Sequence, residues 1–188
     1  MSQSSILGIW RSPRDLQEGR RDGEAVEKEL LVISNSSVII AFARICRLDL
    51  LERLFGKVVV PEAVWREVTV EGKPGREKIL RAGFIRVEEV RDKRLASLLK
   101  GFIDEGEAEA ITLALEVNAD ILLIDDRDAR DLARKLKLQV MGTLGVVALA
   151  KYRGLIQEVK PIVDKLVETG FWIPKKILEE FLRELGEN

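Results

Sequence analysis

No histidine occurs among the 188 residues. That absence excludes Ser–His–Asp triads, histidine general bases and zinc sites built on imidazole. A single cysteine, Cys46, leaves no disulfide framework and no thiolate cluster, and it suits a reducing compartment, so the chain reads as cytoplasmic. Cys46 stands among Ala43, Ile45 and Leu48, a setting for packing rather than for a reactive thiol. No apolar run approaches the ~20 residues needed to span a bilayer. Residues 1–29 lack the apolar centre of a secretion signal, and no membrane role is expected. A net charge of −1 gives no general attraction to nucleic acid, so any such binding must come from local basic patches. Carboxylates, hydroxyls, amides and Lys/Arg side chains are left to do the chemistry.

Hydrophobic residues make up 46% of the chain and charged residues 34%, as in a globular protein with a heavily ionised surface. The length suits one domain with a small appendage. Met1 to Glu29 is polar, mixed in charge and broken by Gly19 and Gly23. It reads as a loosely ordered extension with one short helix near Glu24–Leu30. From Leu30 the pattern turns regular. Leu30–Ile33 is a short apolar run that stops at Ser34-Asn35-Ser36-Ser37, a buried strand feeding a helix with Ser36 as a candidate cap. Lys57–Val60 is a second strand, and Pro61 opens the helix after it. Phe84–Val90 is a third strand, more charged and so nearer an edge. Asp120–Ile124 and Leu138–Met141 complete the set, with helices between and after them. Short, doubly apolar strands alternating with helices predict a mainly parallel sheet covered on both faces. In such sheets functional groups gather at the carboxyl ends of strands, where the strand order reverses.

The polar residues fall where that rule wants them. Asn35, Ser36 and Ser37 follow the first strand, and Asp125-Asp126 follow the fourth. Asp126 alone would be explained as a helix cap. Asp104 and Glu107 have capping-box spacing. The helix they open is apolar nearly all round, so its acidic start lies at the end of a layer, within reach of a cation. Glu67 lies on a half-apolar helix, where a surface ion pair would explain it as well. Arg127, Arg130 and Arg134 recur at three- and four-residue steps and form a basic stripe suited to RNA phosphates. Lys151 and Arg153 add to this charge, and Trp65, Phe171 and Trp172 are aromatic candidates for stacking on unpaired bases.

Val-Ile-Ser-Asn-Ser-Ser, Val-Pro-Glu-Ala-Val-Trp-Arg-Glu, Gly-Glu-Ala-Glu-Ala-Ile-Thr-Leu-Ala and Leu-Leu-Ile-Asp-Asp-Arg-Asp-Ala-Arg occur in that order. Together they resemble the PIN-domain nucleases, and more narrowly a VapC-toxin-like branch of them. Gly-Thr-Leu-Gly-Val-Val at 142–147 and Gly-Phe-Trp-Ile at 170–173 strengthen the likeness, which covers roughly residues 30–183. The resemblance implies a PIN-like three-layer α/β sandwich, with a domain over 30–157 and a C-terminal helical segment, 158–188, packed on it. It implies a metal-dependent ribonuclease with one or two Mg²⁺ or Mn²⁺ ions. Asn35 stands at the position of the first acid, with Ser37 supporting, Glu67 as the second acid and Glu107 as the third. The fourth is Asp125 or Asp126. Ungapped counting from Ala114 favours Asp125, whereas the Asp-Arg-Asp match favours Asp126. RNA, an antitoxin protein and a second copy of the chain are the implied partners. The dimer is expected also from the apolar stretches Leu144–Leu149 and Ile177–Leu185.

The residue chemistry agrees with that implication. Hard cations prefer oxygen ligands, and clustered carboxylates repel one another unless a cation keeps them ionised together. Asn35 is the departure: its carbonyl oxygen can coordinate but carries no charge. It favours an alternative in which the chain is a catalytically weakened module that binds RNA or protein. A phosphate-accepting regulatory domain would need an acceptor Asp where Asn35 stands, which disfavours it.

Overall fold

The computed structural model describes residues 30–187. The extension expected over 1–29, with its short helix, lies outside the described residues. Five strands, β1 (Val32–Ser34), β2 (Val58–Pro61), β3 (Ile85–Glu88), β4 (Ile121–Leu123) and β5 (Val140–Met141), form one sheet in the order β3-β2-β1-β4-β5. Every pairing is parallel, so the sheet is wholly parallel where the sequence predicts mainly parallel. The charged strand β3 is at one edge. The order reverses at β1, whose neighbours are β2 on one side and β4 on the other.

Ten helices are described: α1 (Ser36–Arg44), α2 (Leu48–Phe55), α3 (Glu62–Val68), α4 (Arg76–Leu80), α5 (Lys93–Leu99), α6 (Glu105–Glu116), α7 (Arg127–Lys135), α8 (Thr143–Tyr152), α9 (Lys160–Glu168) and α10 (Lys175–Glu184). The two-residue period of the strands divides their side chains between two cores. Val32, Val58, Val60, Ile121 and Leu123 point into one core with residues of α1, α2, α8 and α9. Ile33, Val59, Leu122 and Val140 point into the other, with α6 and α7. This is the expected three-layer α/β sandwich. Fully buried side chains such as Ile33 and Leu122 each stabilise it by roughly 1.5–3 kcal/mol relative to an exposed state.

The C-terminal helices belong to the first of these cores. Val159, Ile162, Val163, Leu166 and Phe181 are buried in it, with Leu178, Leu182 and Leu185 packed against it. The apolar stretches of α8 and α10 that suggest a dimer from sequence therefore find much of their cover within one chain. Two local expectations also change. Cys46 is exposed, not packed. The end of α1 closes with Arg47 N–H donating to the Phe42 carbonyl (2.8 Å) and Cys46 N–H to that of Ala43 (3.2 Å), a reversal that requires a left-handed residue; Cys46, at φ 58°, is that residue. The cap of α1 is Asn35, not Ser36, and its side chain makes no capping bond. No described helix is long and apolar enough to cross a membrane.

Candidate active site

The chain's reversal at β1 opens a crevice between the carboxyl ends of β1 and β4, because α1 and α7 leave on opposite faces of the sheet. The Asn35 N–H donates to the Leu123 carbonyl (2.9 Å), continuing the β1–β4 ladder one residue past the strand. That bond fixes Asn35 at the mouth of the crevice, and the residue is only 2% exposed. The Ser37 hydroxyl donates to Asn35 Oδ1 (2.8 Å) and also reaches the Asp125 carboxylate. It has one proton, so it serves one of these acceptors at a time.

The far wall comes from α3 and α6. Asp104 and Glu107 form the expected capping box: Asp104 Oδ1 accepts from the Glu107 N–H (2.7 Å) and Glu107 Oε2 from the Asp104 N–H (3.3 Å). Gly106 lets α3 come close. A Cβ placed there would lie 3.4 Å from Glu67 Oε2 and 3.6 Å from Asp104 Oδ1. Buried Glu109 fixes α3 from below, its Oε2 accepting from the Ala63 N–H (3.0 Å). Pro61 just before it has no N–H to offer. Glu109 thus spans two elements and positions the helix that carries Glu67. Its sequence signal, an acid on an otherwise apolar helix, reads only as part of a motif.

Asn35, Ser37, Glu67, Asp104 and Glu107 line one cleft of about 330 Å³, together with Arg44 and Phe171. Asp126 is close enough to raise the affinity of Glu107 for its proton. Burial, then Asp104, Asp126 and Glu67, push the Glu107 carboxyl from 4.5 up to about 7. Glu67, Asp104 and Glu107 thus share one cleft, and Asp126, though not part of its lining, acts on Glu107 from nearby. Their balancing charge from the chain is slight: Lys73 Nζ lies 3.6 Å from Glu67 Oε1.

The two candidates for the fourth acid separate. Asp126 is exposed and caps α7, its Oδ1 accepting from the Ala129 N–H (2.9 Å). Asp125 is held by Thr143, with Ser37 of the cleft also in reach: Oδ1 accepts from the Thr143 N–H (2.7 Å) and Oδ2 from the Thr143 hydroxyl (2.6 Å). Burial pushes its pKa up, and the Thr143 bonds oppose that. Asp125 thereby ties the β4–α7 turn to the start of α8. Thr143, a lone hydroxyl opening a helix, gives no signal in sequence that would single it out.

The arginine stripe does not present one solvated face. Arg127 is exposed. Arg130 NH1 would touch a Cβ on Gly142 at 3.1 Å, beside Asp125 Oδ1 at 2.8 Å, and burial, then Arg134, pull its pKa down. Arg134 is bridged to Asp131 (2.8 Å). Lys151 is withdrawn from the basic surface proposed for it, since it donates to the Leu185 carbonyl and pairs with Glu187. Trp65 packs on the first core, Phe171 lines the acidic cleft, and Trp172 is 81% exposed.

A parallel sheet whose switch point is lined with acids places the chain in a recognisable class of α/β proteins. The model of the DUF3368 family, a PIN domain, matches residues 31–187, and the chain belongs to that family. A search of curated proteins finds none that matches it. PIN domains generally use divalent metal ions. Among the described residues no group of three or more acids stands close enough to enclose an ion unaided. The all-oxygen donor set and the crowding at Glu107 nevertheless fit a hydrated ion, because Mg²⁺ keeps several waters and uses one or two carboxylates.

Proposed function

We propose that this chain is a divalent-metal-dependent endoribonuclease that hydrolyses RNA phosphodiesters in the acidic cleft. The observation that carries the reading is Glu107, held near pH 7 by burial and by three carboxylate neighbours. Such a site concentrates negative potential where an Mg²⁺ or Mn²⁺ ion would relieve it. The ion would sit among Glu67, Glu107 and Asp126, held directly by one or two of these carboxylates and through its waters by the rest, with the Asn35 carbonyl oxygen as a neutral donor. When bound, the ion would polarise a phosphoryl oxygen and make a water easier to deprotonate. Asp125, both oxygens engaged by Thr143, fixes the turn that aims Asp126 and is assigned a positioning role. The role of a VapC-like toxin, with an antitoxin protein as partner and a homodimer as the working form, is proposed on the motif resemblance alone.

Asn35 supports a second reading, a weakened PIN domain that binds RNA or protein without cutting. One experiment separates the two: digestion of a mixed RNA pool with Mg²⁺ or Mn²⁺ by wild type, Glu107→Gln, Asp126→Asn and Asn35→Asp. The nuclease reading expects cleavage by wild type and its loss in both acid variants. Activity undiminished in those variants would sink the site assignment. Cleavage by Asn35→Asp alone would establish the weakened module.

A further inference from the structure

A strand of RNA entering the acidic cleft needs cations that keep their charge, and the described residues differ sharply in this respect. Lys73 faces Glu67, Arg66 faces Glu105, Arg134 faces Asp131 and Lys151 faces Glu187. Arg44 and Lys78 do not follow that pattern. Arg44 NH1 donates to the Thr169 carbonyl (3.1 Å), and Lys78 Nζ donates to the Ala43 carbonyl (3.3 Å) and the Cys46 thiol (2.8 Å). Among the described residues neither has a carboxylate partner within ion-pair distance. Both side chains are exposed and are held in place by neutral acceptors, which orient a cation without cancelling its charge.

Their position is as informative as their chemistry. Arg44 lines the acidic cleft, on the wall that also carries Phe171. It lines an adjoining depression too, shared with Pro74, Gly75 and Lys78. Acids, Arg44 and Lys78 therefore follow one another along connected surface, at the carboxyl end of α1. The α7 stripe offers less, since only Arg127 there is both exposed and without an ion-pair partner among the described residues.

We infer that the RNA backbone leaves the acidic cleft across Arg44 and Lys78, which bind successive phosphates of an unpaired strand, and not along the arginines of α7. This rests on the ribonuclease reading above. Phe171, on the same wall, supplies apolar surface for a base next to the scissile phosphate. Two phosphate contacts to a single strand make a definite contribution to the salt dependence of binding, about 0.7 per contact in the log–log slope.

The test is fluorescence anisotropy of a labelled oligouridine with the Glu107→Gln protein as parent, in which turnover is expected to be lost. Affinity is measured across a range of KCl concentrations, then repeated with Lys78→Gln, with Arg44→Gln plus Lys78→Gln, and with Arg127→Gln. The expected result is a loss of about tenfold or more for the double variant, with a slope shallower by roughly 1.4. Lys78→Gln, at an exposed position, should show about half that change in slope, and Arg44→Lys should restore most of the slope lost at Arg44. Parental affinity and slope in the double variant, from a parent that binds, would overturn the path and leave the ribonuclease reading standing. A parent that binds no RNA at all would overturn both.

Discussion

Replacing Glu107 by Gln should make the protein more stable at neutral pH while removing its activity. Gln retains a carbonyl oxygen for the Asp104 N–H, so the capping box survives, and only the charge among Asp104, Asp126 and Glu67 is lost. The sign follows from the raised pKa. Below 4.5 the side chain is protonated in both folded and unfolded chains, and its full contribution to stability is present. Between 4.5 and about 7 the unfolded chain releases its proton while the folded chain retains it, so stability falls as pH rises through that window. Above it the loss is complete, at a ceiling of roughly 3 kcal/mol from about 1.4 kcal/mol per pKa unit. For a chain of this size that is worth about 6–12 °C in Tm, and relaxation of the site reduces it. Thermal melts by circular dichroism should show the two proteins nearly equal at about pH 4 and the variant ahead by several degrees at about pH 8. Added Mg²⁺ should raise the wild-type Tm by mass action and narrow the gap. A gap of the same size at both pH values, or a variant less stable at the higher one, would refute the argument.

Thr143→Val should destabilise the fold by about 1–3 kcal/mol, because it leaves Asp125 Oδ2 without its hydroxyl donor in a partly buried place. It should also depress cleavage by loosening the turn that aims Asp126, whereas Thr143→Ser should retain most of both; equal loss in Ser and Val would show that the hydroxyl is not what matters. Glu187 accepts from the N–H groups of Val159 and Lys160 and pairs with Lys151, so Glu187→Ala should cost about 1–2 kcal/mol through the lost cap of α9. Burial works against the ionised Glu187, but Lys151 and those N–H groups prevail and its pKa is lowered; its contribution is therefore present above the ordinary carboxylate range and lost as pH falls through the lowered value. Urea melts of wild type and Glu187→Ala that converge only at low pH would bear this out. Gly142→Ala should push Asp125 Oδ1 and Arg130 apart and cost about 1–3 kcal/mol of overpacking, seen as a lower urea midpoint at unchanged slope.

The local pattern of the chain settled the layers and the acids. Apolar runs such as Leu30–Ile33 and Asp120–Ile124 can be buried on both sides only between two helical layers, and polar residues right after them must fall at the sheet's carboxyl edge. That is why Asn35, Glu107 and the Asp125-Asp126 pair were legible before any coordinates, and why the capping box at Asp104–Glu107 was read correctly as well. Spacing along one chain cannot say which way a side chain turns once several elements converge. Thr143, eighteen residues later, decides how the pair divides: its hydroxyl and N–H engage the Asp125 carboxylate, while Asp126 caps α7 and raises the pKa of Glu107 from nearby. The helical period placed Arg127, Arg130 and Arg134 on one face; Arg134 pairs with Asp131 one turn back on the same helix, and only the tertiary structure sets Arg130 beside Asp125, leaving Arg127 as the exposed one of the three. Arg44 and Lys78 carry no mark in sequence at all. Their availability is decided by the carbonyls of Thr169 and Ala43, because a cation held by a neutral acceptor keeps a charge that a carboxylate would have cancelled.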